Sequence, residues 1–402
     1  MKYPIVSLPE PNPSEFSHVW NVALPHHHPS VPLSEKHAPE RFNPFLGEIV
    51  SNVFSESIRW PHSELERNRG FFNQVIYLDH WKIARNNLFS EIQDLLCCLA
   101  PFASFINMKG LGSYIRYLKE QPALANLPFH LWEDIIQEAM NRGLFSPVSH
   151  MPVFLQLDPI FPFFLKTRLY AFERKEKRMA VETAFREYYD SLAEAVYGIM
   201  KSNHTDKKAL GNTLVKPEYE NLVTALYFAL DAHESVLSIY RTLSDYLDVT
   251  QDHELQLRLG DMVLTGLKDY PREKLNGKLG SEFVVIVDDI ARHQLFLGRY
   301  SEAERSYQAA LNIWLQNEDY DAAMIRKKSG TIYHQLGRVA QEQREWKRAG
   351  EYFLKDLEIT KEFNDLKGMT TTLRNLRRLW KESGDEKLPE AIAEVLGWKV
   401  KA

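Results

Sequence analysis

Two stretches near the C-terminus repeat one another at a fixed offset. IARHQLFLGRYSEAERSYQAAL begins at Ile290, and LGRVAQEQREWKRAGEYFLKDL begins at Leu336. Ile290 pairs with Leu336, Tyr300 with Trp346, Ala303 with Ala349, Tyr307 with Phe353 and Leu311 with Leu357, each 46 residues apart. A chain that repeats at such a period builds one supersecondary unit several times. Each unit buries its apolar stripe only against the next, so stacking is obligatory. The natural unit is an antiparallel helix pair. Ala303 and Ala349 sit where two helix backbones approach closely, and a larger side chain would push them apart. The aromatic rings of Tyr307 and Phe353 fill the gap toward the next pair. A third, weaker copy runs from Met369 to Trp398, with Leu376 continuing the Ile290, Leu336 series and SGDEKLPEAIAEVL supplying the turn. Pro389 degrades it, as befits a terminal cap. YENLVTALYFALDAHESVLSIYRTL, 219–243, reads as an earlier, divergent pair.

These small, aromatic and turn positions resemble the tetratricopeptide repeat. That family repeats at about 34 residues, so 46 implies longer helices or a longer connection. In the family the first helix of each pair lines a concave surface. Two residues beyond Ile290, Leu336 and Leu376 stand Arg292, Arg338 and Arg378; two residues before them stand Asp288, His334 and Arg374. In register, the arginines form a ladder suited to carboxylate or phosphate, because guanidinium offers forked, charge-assisted hydrogen bonds. The competing account is surface arginine paired with Glu342 and Glu382, each pair worth at most about 1 kcal/mol. The ladder depends on register, since a slip of one residue turns a side chain by about 100°.

The N-terminal part follows different rules. Residues 1–45 hold nine of the 20 prolines, so LPEPNP and ALPHHHPSVPL cannot be helical. An extended arm is expected there, with Trp20, Phe42 and Phe45 as candidate anchors. From Asp79, HWKIARNNLFSEIQDLLCCLAPFASFI puts Ile83, Leu88, Ile92, Leu95, Leu96, Leu99 and Phe102 near one face. LWEDIIQEAMNRGLFSP predicts a helix ended by Gly143. Val153, Leu155 and Leu157 alternate as in a short strand or wing, and Pro159 and Pro162 mark another helix start. Beyond Lys166 the chain reads as helical almost to its end, punctuated by Pro217, Pro271 and Pro389 and by Gly211, Gly280 and Gly384. Residues 80–170 are similar to the winged-helix region of STAND proteins, the signal-transducing P-loop ATPases. In that family a nucleotide-binding unit precedes this region and helical repeats follow it. No G-x-x-x-x-G-K-[ST] occurs in this chain, so the nucleotide-binding unit is absent from the reading. Asp158 stands where the family often carries a nucleotide-sensing His, and a carboxylate there would repel phosphate.

Other constellations are weaker. A net charge of −5 argues against a general nucleic-acid binder. The basic segment 168–179 reads as a charged helix face, with an anion or RNA contact as the alternative. FVVIVDDI, 283–290, imitates a Walker-B strand ending in Asp288 and Asp289, but Ile290 already has a place in the repeat. His26, His27 and His28 point different ways in an extended segment, so they do not close a metal site. Cys97 and Cys98 are adjacent and lie in an apolar stripe, so buried thiols in a reducing, cytoplasmic setting are expected. No signal peptide and no membrane span are expected. The lone histidines show no H-E-x-x-H spacing, and no nucleophile elbow occurs. No catalytic residue, cofactor or metal is therefore expected.

The expected protein is mainly α: a Pro-rich arm (1–45), a winged-helix-like domain (46–170), a divergent helical-repeat region (171–270) and a tetratricopeptide-like superhelix (271–402). Its expected function is a non-catalytic adaptor. A protein or acidic peptide would be bound by Arg292, Arg338, Arg378, His334 and Arg374, with bacterial signalling or antiviral defence as the setting the family resemblance implies. The alternatives are a nucleic-acid-binding subunit using the winged-helix-like unit and residues 168–179, or an accessory subunit of an enzyme complex.

Overall fold

The computed structural model describes residues 89–398, apart from positions 150, 152, 159, 172 and 173. The Pro-rich arm, His26–His28, Ile83, Leu88 and Pro159 lie outside the described residues. What is described is mainly helical, and the chain divides into two compact units between Phe228 and Ala229.

In the first unit, α1 (Phe89–Cys97) leads into β1 (Phe105–Asn107), α2 (Met108–Glu120), α3 (Trp132–Asn141), β2 (Phe145–Pro147) and β3 (Phe154–Leu157). The strands form an antiparallel sheet in the order β1-β3-β2, with Ile106 opposite Leu155 and Ser146 opposite Gln156. Local chemistry sets the joints. Asn107 ends β1 and caps α2, its side-chain oxygen accepting from the amides of Lys109 and Gly110 at 3.1 and 3.3 Å. Gly143, at φ +72°, stops α3, and the Leu144 amide bonds back to Ala139. The alternation of Val153, Leu155 and Leu157 gives β3, with Gln156 exposed between buried neighbours. Phe154 is buried as well, packing on Val148 and Val153, so the second face is covered at one end of the strand and open at Gln156.

Three more helices follow: the short α4 (Ile160–Leu169) and the long α5 (Lys175–Met200) and α6 (Thr205–Asp231), the last ending just past the unit boundary. Phe102, Tyr114 and Phe185 meet edge to face, with centroids 5.1–5.9 Å apart. Within this apolar body lies Glu218. Its Oε2 accepts from Tyr189 Oη at 2.8 Å and from Asn221 Nδ2 at 3.0 Å. Asn221 also accepts from the Ala103 amide at 2.9 Å and donates to the Phe105 carbonyl at 3.0 Å, tying α6 to the start of β1. Burial raises the Glu218 carboxyl above its ordinary range, against the pull of these donors. Cys97 and Cys98 are free and buried, and burial pushes the Cys97 thiol up to about 11.

The second unit is a run of helices: α7 (Leu237–Thr250), α8 (His253–Leu267), α9 (Gly277–Phe296), α10 (Tyr300–Leu315), α11 (Ala322–Glu342), α12 (Trp346–Glu362), α13 (Leu366–Ser383) and α14 (Leu388–Leu396). FVVIVDDI lies inside α9 and is helical. Residues 219–243 hold the end of α6, a turn and the start of α7. The long period comes from helix length, since α9, α10, α11 and α12 have 20, 16, 21 and 17 residues. Ala303, Ala349, Tyr307 and Phe353 are fully buried. The ring of Phe353 lies against Gly337 so closely that an added Cβ would be 2.7 Å from it.

Three punctuation marks do not act as expected. Pro217 lies within α6 instead of ending it, because flanking Leu214, Val215 and Leu222 are buried and hold the helix on both sides. Gly211 is also internal to α6, and Gly280 to α9. These glycines serve close approach, since a Cβ at 211 would meet Met200 and one at 280 would lie 1.9 Å from the Leu275 carbonyl oxygen. Pro271 and Pro389 do mark boundaries, before α9 and in the first turn of α14.

Candidate functional site

The turn inside each helix pair sets the register of the second unit. Gly298, Arg344 and Gly384 are left-handed, at φ +76°, +60° and +68°. The following amides reach back in the same way: Arg299 to Gln294 at 2.8 Å, and Glu345 to Ala340 at 2.8 Å. The offsets between the three turns, 46 and 40 residues, are those between Ile290, Leu336 and Leu376. Equivalent positions on α9, α11 and α13 therefore form rows: Asp288, His334 and Arg374; Asp289, Gln335 and Asn375; Arg292, Arg338 and Arg378. All four arginines are exposed.

Their partners differ. Arg292 is held by Asp289 at 2.5 Å and by Asp288 at 3.2 Å. Arg378 bonds Glu382 at 2.8 Å and reaches Glu342 on α11 at 3.5 Å, a contact between successive pairs. Arg338 donates to Gln335 at 3.0 Å and makes no ion pair among the described residues, and Arg374 has no polar partner among them. His334 is turned inward. The Asn375 amide donates to its Nε2 at 3.0 Å, which leaves Nδ1–H to donate to Asp356 at 2.8 Å. Thr372 donates to the same Asp356 oxygen, and the imidazole meets Phe353 edge-on.

A second polar cluster has no counterpart in the sequence reading. Asp289 accepts from Tyr240 at 3.0 Å and Ser244 at 2.7 Å, both on α7. His293 bridges the Asp289 carbonyl and Asp248, each at 2.8 Å. Asp288 beside it is desolvated, and burial raises its carboxyl above the ordinary value against the pull of Arg292. The signal available in the sequence was the Asp288–Asp289–Arg292–His293 run on one helix, but its α7 partners are 45–49 residues away.

In the first unit, Arg174 and Lys177 both pair with Asp94 of α1, and Arg178 stacks over Tyr170 with its carbon 4.8 Å from the ring centre. The outward side of α3 carries Glu133, Asp134 and Gln137, with Glu138 paired to Arg142 at 2.7 Å. No group of three or more His, Cys, Asp or Glu among the described residues could hold a metal ion. None of their helices is long and apolar enough to cross a membrane.

The fold defines a class, a mainly helical protein whose second unit stacks helix pairs in a common register. No family model matches the chain, and no curated protein matches it. Among solved structures it is similar to a signal transduction ATPase with numerous domains that carries a tetratricopeptide-repeat sensor, from Pyrococcus horikoshii. Identity is 14% and the TM-score 0.31, over 96% of this chain. The chain spans 58% of that protein's length.

Proposed function

We propose that the protein is a non-catalytic adaptor that binds an acidic protein segment on the face shared by α9, α11 and α13. The observation that carries this reading is the pair Arg338 and Arg374, two exposed guanidinium groups on adjacent rows with no carboxylate partner among the described residues. Arg292 and Arg378 are already neutralised, so they frame the site more than they charge it. A ligand carboxylate gains forked hydrogen bonds at Arg338 and Arg374 without first breaking an ion pair. Residues 89–157 would serve as a winged-helix-like docking unit, the helix-strand-helix-helix-strand-strand order and the β1-β3-β2 sheet supporting that comparison. A place in cytoplasmic signalling or defence follows from family analogy alone. Nucleic-acid binding is disfavoured: the outward side of α3 is acidic, and Arg174 and Lys177 already pair with Asp94.

The test is fluorescence anisotropy with a library of acidic peptides. Replacing Arg338 and Arg374 together by Ala is expected to weaken capture at least ~10-fold, the scale of one lost charge-assisted hydrogen bond, with the helical CD signal unchanged. Undiminished binding by a folded double variant would end the proposal.

A further inference from the structure

Two large apolar side chains stand in the open on α13, Leu366 at 75% exposure and Trp380 at 44%. Leu373, partly buried, lies midway between them. The three are seven residues apart, so they form one stripe that drifts by about 20° per step. Counted from the left-handed turns, they hold the places of Gly280, Val287 and Gln294 on α9. On α9 all three places are buried. Val287 belongs to the cluster that holds Tyr307 of α10 and Leu336 of α11, and Gln294 accepts from Ser306 of α10 at 2.8 Å. α14 does not close the stripe on α13 in that way. It lies across α12, with Leu388 3.7 Å from where a Cβ on Gly350 would stand and the Val395 carbonyl 2.7 Å from Lys361 Nζ. Both ends of the stripe therefore stay in water, although the outer face of a terminal repeat is ordinarily polar.

The border of the stripe is cationic. Arg377 and Lys381 replace Ala291 and Leu295, which are buried on α9. Both are exposed, and neither they nor Arg374 make an ion pair among the described residues. At 100° per residue the three cations fall along one edge of the stripe.

We propose that this face docks an amphipathic helix of a partner protein. Its apolar residues would pack on Leu366, Leu373 and Trp380, and its Asp or Glu residues would line the edge facing Arg374, Arg377 and Lys381. Helices already cover the equivalent stripe on α9, which favours a helix as the occupant. Charge decides whose helix it is. A second copy of α13 would bring the same cations, and its one carboxylate, Glu382, is already held by Arg378. The face goes beyond the adaptor reading and shares Arg374 alone with it.

The probe is a fluorescein-labelled helical peptide of three heptads, with Leu at the first and fourth places, Glu at the fifth and seventh, and Ala elsewhere. One control carries Lys for Glu, and another scrambles the acidic sequence so that no stripe remains. The acidic helix is expected to bind the full chain ~10-fold tighter than either control. Trp380→Ala is expected to weaken it at least ~10-fold. Reversing both edge charges, Arg377→Glu with Lys381→Glu, is expected to turn the preference toward the Lys peptide. Those two positions are exposed, so the reversal keeps the test readable if Trp380→Ala loosens the fold. An acidic helix that binds no tighter than the controls, or that ignores the charge reversal, would leave the stripe as the solvated end of the stack. Self-association of the wild-type chain in sedimentation, lost in Trp380→Ala, would give the face to a second copy and overturn the inference as well. In each case the Arg338 and Arg374 test of the adaptor reading stands apart.

Discussion

The two units hold their polar groups in opposite ways. In the first, one side chain joins distant parts of the chain: Asn221 on α6 reaches Ala103 and Phe105, 118 and 116 residues away, and shares Glu218 with Tyr189. In the second, polar contacts join neighbouring helices, as in Asn375 to His334, 41 residues apart, and Gln341 to Glu382, also 41. Damage in the first unit should therefore loosen the sheet edge and α6 together. Damage in the second should stay within one helix pair and its neighbours, as nearest-neighbour stacks behave.

The largest effect is expected at the aromatic positions of the stack. Phe353→Ala and Tyr307→Ala should each cost ~3–5 kcal/mol. Hydrogen exchange should show the loss confined to the second unit, and a matching loss in the first would break the comparison. Next comes Asn221→Leu, which strands the Ala103 amide and one side of Glu218. About 1–3 kcal/mol is expected, with faster exchange at both 103–107 and 214–222.

Glu218 gives a pH signature. Burial raises its carboxyl in the folded chain, so the folded state holds the proton more tightly than the unfolded state. That contribution is full below the ordinary value of 4.5 and is lost as pH rises through the raised folded value. Glu218→Gln should gain on the order of 1 kcal/mol at neutral pH and flatten the decline of the first unit's urea midpoint between pH 4 and 8. A slope unchanged by the substitution would mean another group sets it. The smallest effects belong to the turns. Gly298→Ala should cost about 1 kcal/mol because its backbone is left-handed, whereas Arg344→Gly at the equivalent turn should gain about 0.5 kcal/mol. Thermal melts of the pair should move in opposite directions.

The second unit was largely legible in the sequence, because a repeat exposes its own logic. The small residue at 303 and 349 and the aromatic at 307 and 353 recur at one offset, and Gly384 marks the turn of the third, shorter pair. Arg344 was not legible as a turn, since nothing about arginine announces a left-handed backbone. Tertiary packing likewise overrode the usual meaning of Pro217, Gly211 and Gly280. The Glu218 cluster was out of reach for a simpler reason: its members come from α5, α6 and the approach to β1, and no periodicity links them. On the candidate face, the positions of Arg292, Arg338 and Arg378 followed from register. Which of them already had carboxylate partners followed only from coordinates.

The row Asp288, His334 and Arg374 carries a last consequence. Along the stack this row passes from a carboxylate held by Arg292, through an imidazole bonded at both nitrogens, to an exposed guanidinium without a partner among the described residues. If the proposed segment lies across these helices, only its end over α13 would meet an unspent charge on this row. Turned end for end it would offer that charge the wrong terminus, so the proposed face would tell head from tail.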